Sequence, residues 1–180
     1  MLKITIPAGE LWDEEKQMFI SVKEQTLKLQ HSLVSVSKWE AKWKKPFLAD
    51  NEKTPEQNMD YIRCMNMTQN VDPNCFSLLT PDNVLEIKNY IDDPMTATWF
   101  NDTQKGPHNR EVITSEVIYY QMIALNIPPE YAKWHLNRLL TLIKVAALKS
   151  QPEKKMSKKE LLTRNAALNA ARRAKFNSKG

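Results

Sequence analysis

Glycine and cysteine are scarce in this chain, with three glycines and two cysteines among 180 residues. No glycine lies in a GxGxxG or P-loop pattern, which excludes most nucleotide sites that hold phosphate on a glycine-rich loop. Cys64 and Cys75 form neither a CxxC motif nor a zinc-ligand spacing. No run approaches the roughly 20 consecutive apolar residues of a membrane span, and the N-terminal segment lacks the charge pattern of a signal peptide. These absences predict a soluble intracellular protein without a cofactor.

Residues suited to catalysis or metal binding are also sparse. The three histidines, His31, His108 and His135, occur singly, and nothing in the sequence places a nucleophile and a carboxylate beside them. The acidic residues at 13–15 and 92–93 lack the spaced oxygen ligands of an EF-hand. We therefore predict no catalytic, cofactor-binding or metal site.

Charge is distributed unevenly along the chain. It carries 26 Lys and Arg against 21 Asp and Glu, a net charge of +5. Residues 144–180 hold 11 of the basic residues and only two acidic ones, which leaves 15 basic and 19 acidic residues in 1–143. We predict a body over residues 1–150 and a basic arm over residues 151–180. The asymmetry favours an acidic partner for the arm, nucleic acid or protein, although a solvated tail has the same composition.

Period-two patterns predict strands over residues 2–6, 18–22 and 26–30. Three short strands so close together favour an antiparallel hairpin or meander. A small sheet needs a second layer to cover its apolar face, so it is expected to pack on the residues that follow. The predicted fold class is α+β and predominantly α-helical.

Capping signals and apolar spacing predict about five helices after the sheet and then a basic C-terminal helix. Thr54 precedes Pro55, and Gln57 completes a capping box. Thr80 and Pro81 repeat this helix-start pattern of threonine followed by proline. The predicted helices begin at Ser32 or Ser35, Thr54, Thr80, Thr114, Pro129 (running through Trp134 to about Ala146) and Ser157 (running to about Lys175), with a long loop over residues 94–112.

Aromatic and methionine side chains allow either a core or a partner surface. Tyr119 and Tyr120 are adjacent on the helix predicted after Thr114, so they cannot both face the core. The alternative to a core role is an apolar groove for a partner helix, and eight methionines favour such an adaptable surface. The candidate apolar partner-binding residues are Tyr119, Tyr120, Met122 and Trp134.

The arm is predicted to bind its partner through charge. Its alanines favour a helix but bury little area, so this helix is predicted to be separable from the body. Asn165 opens a pattern similar to a basic-region DNA-binding helix, but Leu168 and Asn169 stand where that motif needs alanines, and no zipper follows. Specific DNA recognition is therefore not expected, while non-specific phosphate contact stays open. The candidate electrostatic residues are Lys154, Lys155, Lys158, Lys159, Arg164, Arg172, Arg173 and Lys175.

Four segments carry a resemblance to a known family. They are HSLVSVSKWEAKWKKPFL (31–48), EVITSEVIYYQMIALNIPPE (111–130), KWHLNRLLTLIKV (133–145) and KKMSKKELLTRNAALNAARR (154–173). They resemble small proteins from the tail-gene region of long-tailed bacteriophages that are taken to be tail assembly chaperones, and the resemblance runs over most of the chain. It implies a non-enzymatic protein in the cytoplasm of the bacterial host. Its partners would be the tape measure protein or tail tube subunits, with self-association open and no membrane involved.

Two other functions stay open beside the chaperone. A small helical protein from such a gene cluster also suits a structural subunit of the tail or neck that is retained in the virion. The basic arm would also suit a non-specific nucleic-acid-binding protein.

Overall fold

The first 30 residues form one β-hairpin that is interrupted once along its length. The computed structural model describes residues 1–14, 16–49, 52–100, 112–150 and 158–177. In the hairpin, β1 (Leu2–Ile6) pairs with β4 (Gln25–Leu29), and β2 (Gly9–Asp13) pairs with β3 (Met18–Val22), both antiparallel. The numbers of paired residues add up to 31 in both ladders. One register therefore continues across the interruption at Pro7, whose nitrogen has no hydrogen to donate.

The predicted antiparallel pairing is confirmed, but the described residues contain four strands where the sequence pattern predicts three. The strand missing from the prediction is β2. Its Glu10 and Asp13 interrupt the apolar pattern, and Gly9 is typical of a turn. The strand forms because β2 pairs with β3, although the local sequence of β2 does not predict a strand.

Helices make up most of the remaining described residues. They are α1 (Leu33–Trp43), α2 (Pro55–Met65), α3 (Pro81–Asp92), α4 (Ser115–Ala124), α5 (Leu136–Ser150) and α6 (Lys158–Phe176), with 3₁₀ helices at Pro73–Leu78 and Pro129–Lys133. The protein is thus α+β with helices predominant, as predicted. The chain divides into two compact units, Met1–Leu148 and Lys149–Gly180.

Three helices begin at capping boxes, in which the side chain of the cap and that of the third helical residue each bond the other's backbone N–H. The three reciprocal pairs are Ser32 with Ser35, Thr54 with Gln57, and Thr80 with Asn83. Two of these helices also have proline at the first helical position. The helix starts read from Thr54 and Thr80 are therefore confirmed.

The core of the first unit lies between the β1–β4 ladder and the helices. Ile4 and Ile6 of β1 and Leu27 and Leu29 of β4 are buried on one face of the ladder, while the residues between them face outward. Trp39 of α1 is buried beside them in the same core. The ladder thus has the apolar covering that a small sheet requires.

The continuous helix predicted from Pro129 is wrong. The 3₁₀ helix there ends at Trp134, which has an extended backbone, and α5 begins at Leu136. The N–H of Leu136 donates to the carbonyl of His31 at 3.0 Å, and His135 forms a β-bridge with the residue before α1. These long-range hydrogen bonds outweigh the local helix propensity.

Helix α6 makes up most of the described part of the second unit, which also contains the last two residues of α5. All of its described side chains are exposed, including Leu161, Leu162 and Leu168 at 46 to 61%. Among the predicted basic residues of the arm, Lys154 and Lys155 lie outside the described residues. The predicted loop at 94–112 is described only at its ends, since residues 101–111 also lie outside them.

Candidate partner-binding surfaces

Helix α4 is apolar on two opposite sides, whereas a helix with one side in water is usually polar there. Ile118 and Met122 face the core and are at most 2% exposed. On the opposite side, Tyr120 is 69% and Ile123 is 75% exposed. We call this side the α4 outer face, and it consists of Val117, Tyr120, Ile123 and Ala124, with the exposed Glu116 beside them in the first turn. An exposed apolar strip of this kind is typical of a surface that a partner covers.

A buried carboxylate from α1 fixes the first turn of α4. Glu40 is 7% exposed, and its Oε2 accepts a hydrogen bond of 2.8 Å from the backbone N–H of Ser115. Its Oε1 accepts one of 2.7 Å from the backbone N–H of Phe47. Thr114, the residue at the N-cap position, makes no side-chain capping bond. The position of the α4 outer face therefore depends on a residue 75 positions earlier in the chain.

A cleft of about 430 Å³ lies beside this first turn. It is lined by Glu40, Ala41, Lys44, Lys45, Pro46, Thr114 and Glu116. The pKa of Glu116 lies below its usual value because its own backbone N–H and nearby hydroxyls hydrogen-bond the carboxylate. The cleft thus presents two lysines and an ionised carboxylate at the N-terminal end of the α4 outer face. A partner that covers the face meets polar groups at this end and apolar groups along the helix.

The predicted apolar residues on α4 divide between the two sides of the helix. Tyr120 lies on the outer face, and Tyr119 is half-buried against the core. Met122 as a partner contact is wrong, because its side chain is enclosed by the core. Ile123, the most exposed apolar residue of α4, was missed by the sequence prediction. The missed signal is that apolar residues occupy opposite sides of the helix, whereas a surface helix is usually apolar on one side only.

Trp134 lies in the break before α5 and not on α4. It is half-buried, and its ring stacks on that of Tyr131 with 4.1 Å between ring centroids. The guanidinium of Arg138 lies 4.1 Å from the centre of the same ring. Trp134 is therefore engaged within the protein by stacking and a cation–π contact.

Two histidines meet inside the first unit. The rings of His31 and His135 lie edge to face with their centroids 4.9 Å apart. His31 Nδ1 hydrogen-bonds the hydroxyl of Tyr61, and His135 Nε2 bonds the carbonyl oxygen of Tyr90 at 2.9 Å. Burial and, second, the neighbouring His135 lower the pKa of His31 to about 3. Burial also lowers the pKa of His135, whose Nδ1 has no hydrogen-bond partner among the described residues. Both rings are consequently neutral near pH 7.

The exposed side chains of α6 are arranged in two strips. Helical spacing places Leu161, Leu168 and Arg172 on one side of the helix, with Arg164 and Lys175 flanking them. Most of the alanines lie on the other side, namely Ala166, Ala167, Ala170 and Ala174, while Leu162 and Arg173 lie between the two sides. An apolar strip bordered by cations fits a partner that offers both apolar and acidic groups.

Comparisons with models of known families, with curated protein sequences and with solved structures find no match. Among the described residues, no group of three or more His, Cys, Asp or Glu is arranged to hold a metal ion. Burial raises the pKa of the Cys64 and Cys75 thiols, which disfavours the reactive thiolate. In the same described ranges, none of the helices is long and apolar enough to cross a membrane.

Proposed function

We propose that this protein is a non-enzymatic tail assembly chaperone of a long-tailed bacteriophage. It would bind and shield the tape measure protein in the host cytoplasm while the tail tube assembles. The observation that carries the proposal is the α4 outer face, where Tyr120 and Ile123 are exposed on a helix that also carries apolar residues on its core side. The four segments that resemble tail assembly chaperones support the same role.

The α4 outer face suits an apolar or amphipathic helix of the partner. Val117, Tyr120 and Ala124 recur at the i, i+3, i+7 spacing through which helices contact each other. A long tape measure helix with uncovered apolar patches would associate with others in water. Many copies of this protein, each bound weakly along that helix, would keep such patches apart, and the growing tube would displace them.

The basic arm supplies the second contact. The described cations of α6, such as Arg164, Arg172 and Arg173, are exposed, so their attraction to acidic groups is screened by salt and is therefore weak and reversible. Two weak contacts on one chain raise the effective concentration of each for the same partner. Binding through both surfaces would be firmer than binding through either alone, yet it could still be released stepwise.

Co-expression with the tape measure protein tests the proposal. We expect the tape measure protein to stay soluble and to co-purify with the wild-type chain, and to aggregate when Tyr120→Ser and Ile123→Ser are combined. The matched control is Leu85→Ser, which removes a leucine of 57% exposure from α3 and leaves α4 intact. A tape measure protein that is equally soluble with the double variant, or without any copy of this chain, contradicts the proposal.

Mass spectrometry of purified virions separates the chaperone from a structural subunit. A chaperone is expected to be absent from the particles, whereas a tail or neck subunit is present in fixed stoichiometry. Binding to duplex DNA as a function of salt addresses the remaining alternative, because phosphate contacts give an affinity that falls steeply with salt. We expect no such binding at a concentration at which the tape measure protein is held in solution.

A further inference from the structure

The edges of the β1–β4 ladder are covered by other parts of the first unit. The N–H of Gln30 donates to the carbonyl of Met65, and the N–H of Met67 donates to the carbonyl of Lys28, which continues the ladder beyond β4. On the other edge, α3 packs on β1, and the Asn83 amide donates to a strand carbonyl. Covered edges of this kind do not accept a further strand.

The edge of β3 is different. Within the described residues β3 has β2 as its only ladder partner, so the backbone groups on its other side have no strand to pair with. Its five residues, Met18–Val22, include no charge, no proline and no glycine. Native proteins usually protect an open edge with one of these. An uncharged open strand of high β-propensity is a template for another strand.

We propose that β3 pairs with β3 of a second copy of this chain, antiparallel about a two-fold axis at Ile20. The two hairpins then form one four-stranded sheet across the dimer. In this register the numbers of paired residues add up to 40, so that Met18 faces Val22 of the partner subunit, and Phe19 faces Ser21 of the partner subunit.

Charge favours β3 over β2 as the joining strand. Self-pairing along β2 would bring Glu10 and Asp13 of two copies to one interface, where like charges repel. Self-pairing along β3 brings no charges together within the strand.

The outer face of the hairpin offers complementary shapes. Trp12 and Phe19 lie directly across the β2–β3 ladder and form an edge-to-face pair with 4.9 Å between ring centroids. Phe19 is nevertheless 63% exposed. Its neighbour across the proposed interface is Ser21 of the partner subunit, whose small side chain leaves room for the ring. Large-on-small pairing of this kind lets the aromatic ring bury area against the added strand.

The test compares a charged substitution in β3, Ser21→Lys, with a control substitution at the residue paired with it in β2, Glu10→Lys. Ser21→Lys puts a cation on the open edge, and because Ser21 lies across from Glu10 the hairpin itself gains an ion pair. We expect sedimentation equilibrium to show a reversible wild-type dimer and a dissociation constant raised at least about tenfold by Ser21→Lys. Glu10→Lys alters the same ladder from β2 and should leave the dimer unchanged. A wild-type chain that is monomeric at every concentration, or a dimer that both variants or neither weakens, overturns the proposal.

Cross-linking tests the register independently of affinity. In a Cys64→Ser background, Ile20→Cys places the introduced thiol on the axis, opposite its own copy, and mild oxidation should give a covalent dimer. Glu10→Cys in the same background is more exposed but lies away from the axis, so it should cross-link far less. Equal cross-linking of the two variants, or none for Ile20→Cys, contradicts the pairing. Circular dichroism of each variant confirms that the hairpin and helices are kept.

Discussion

Glu40 performs for α4 the capping role that Thr114 leaves open. Thr114 occupies the N-cap position without a side-chain hydrogen bond, and the N–H of Ser115 donates instead to the buried Glu40 carboxylate. The negative charge also lies at the positive end of the α4 dipole. The orientation of the proposed partner-binding helix is thus set from α1.

Replacing Glu40 by Gln should destabilise the protein by about 1–3 kcal/mol, because an amide has one acceptor oxygen for two backbone N–H donors and leaves one buried donor unpaired. The free energy of unfolding from urea titration measures the loss. Glu116→Gln is the matched control, since Glu116 is exposed in the same turn and its substitution should cost much less stability. Equal losses for the two variants would show that the carboxylate of Glu40 does not anchor α4.

The buried histidine pair should make the protein acid-sensitive. The folded-state pKa of His31 is about 3, below the unfolded value of about 6.5, so the unfolded state binds more protons as the pH falls. The contribution of His31 to the free energy of unfolding should therefore be fully present above pH 6.5 and be lost as the pH falls below it. From His31 alone, the free energy of unfolding should decrease by about 2 kcal/mol between pH 7 and pH 5. His135, whose pKa is also lowered, adds to the same trend.

Substitution of the histidines isolates this effect from the carboxylates. The double variant His31→Gln, His135→Gln removes both titrating groups, and its free energy of unfolding should change much less between pH 7 and pH 5 than that of the wild type. The absolute stability of the variant is not the readout, since the substitution also alters packing. A wild-type profile that is flat over this range, or an unchanged slope in the variant, would contradict buried neutral rings.

The helix starts could be predicted from sequence because a capping box is local. Thr54 and Gln57 are three residues apart, and their reciprocal hydrogen bonds need nothing from the rest of the chain. The break before α5 could not be predicted, since it depends on the N–H of Leu136 meeting the carbonyl of His31, 105 positions earlier. The strand β2 is ordered by the same kind of distant pairing, through its ladder with β3.

The sequence could predict that the helix after Thr114 carries a partner-binding surface, but it could not predict which residues of that helix are exposed. A helix with apolar residues on opposite sides gives no periodic signal to show which of them face the core. The prediction therefore grouped Tyr120 with Met122, which the structure places on opposite sides. The orientation is decided by packing against α1 and by the Glu40 contact, both of which join distant parts of the sequence.

The two sides of α4 should respond differently to truncation. Met122→Ala removes buried area and leaves a cavity, so it should lower the free energy of unfolding by about 2–5 kcal/mol. Ile123→Ala removes an exposed side chain and should change stability by no more than about 0.5 kcal/mol. Binding to the tape measure protein should show the reverse, with Ile123→Ala weaker than wild type. Loss of stability with Ile123→Ala would mean that the outer face is already covered within the protein.

Deleting residues 151–180 should leave the body folded and change its thermal stability little. The described side chains of α6 are all exposed, so the deletion removes little buried apolar area. Differential scanning calorimetry measures this directly. Binding to an acidic partner should weaken, and the loss should be larger at low salt, where charges are least screened.

The opposite outcome is a truncated protein that melts at a much lower temperature or precipitates. Docking of Leu161, Leu162 and Leu168 would contribute roughly 5–9 kcal/mol before entropy is subtracted, which is comparable with the net stability of a whole domain. A large fall in melting temperature would therefore show these leucines to be part of the core, and the arm would not be separable.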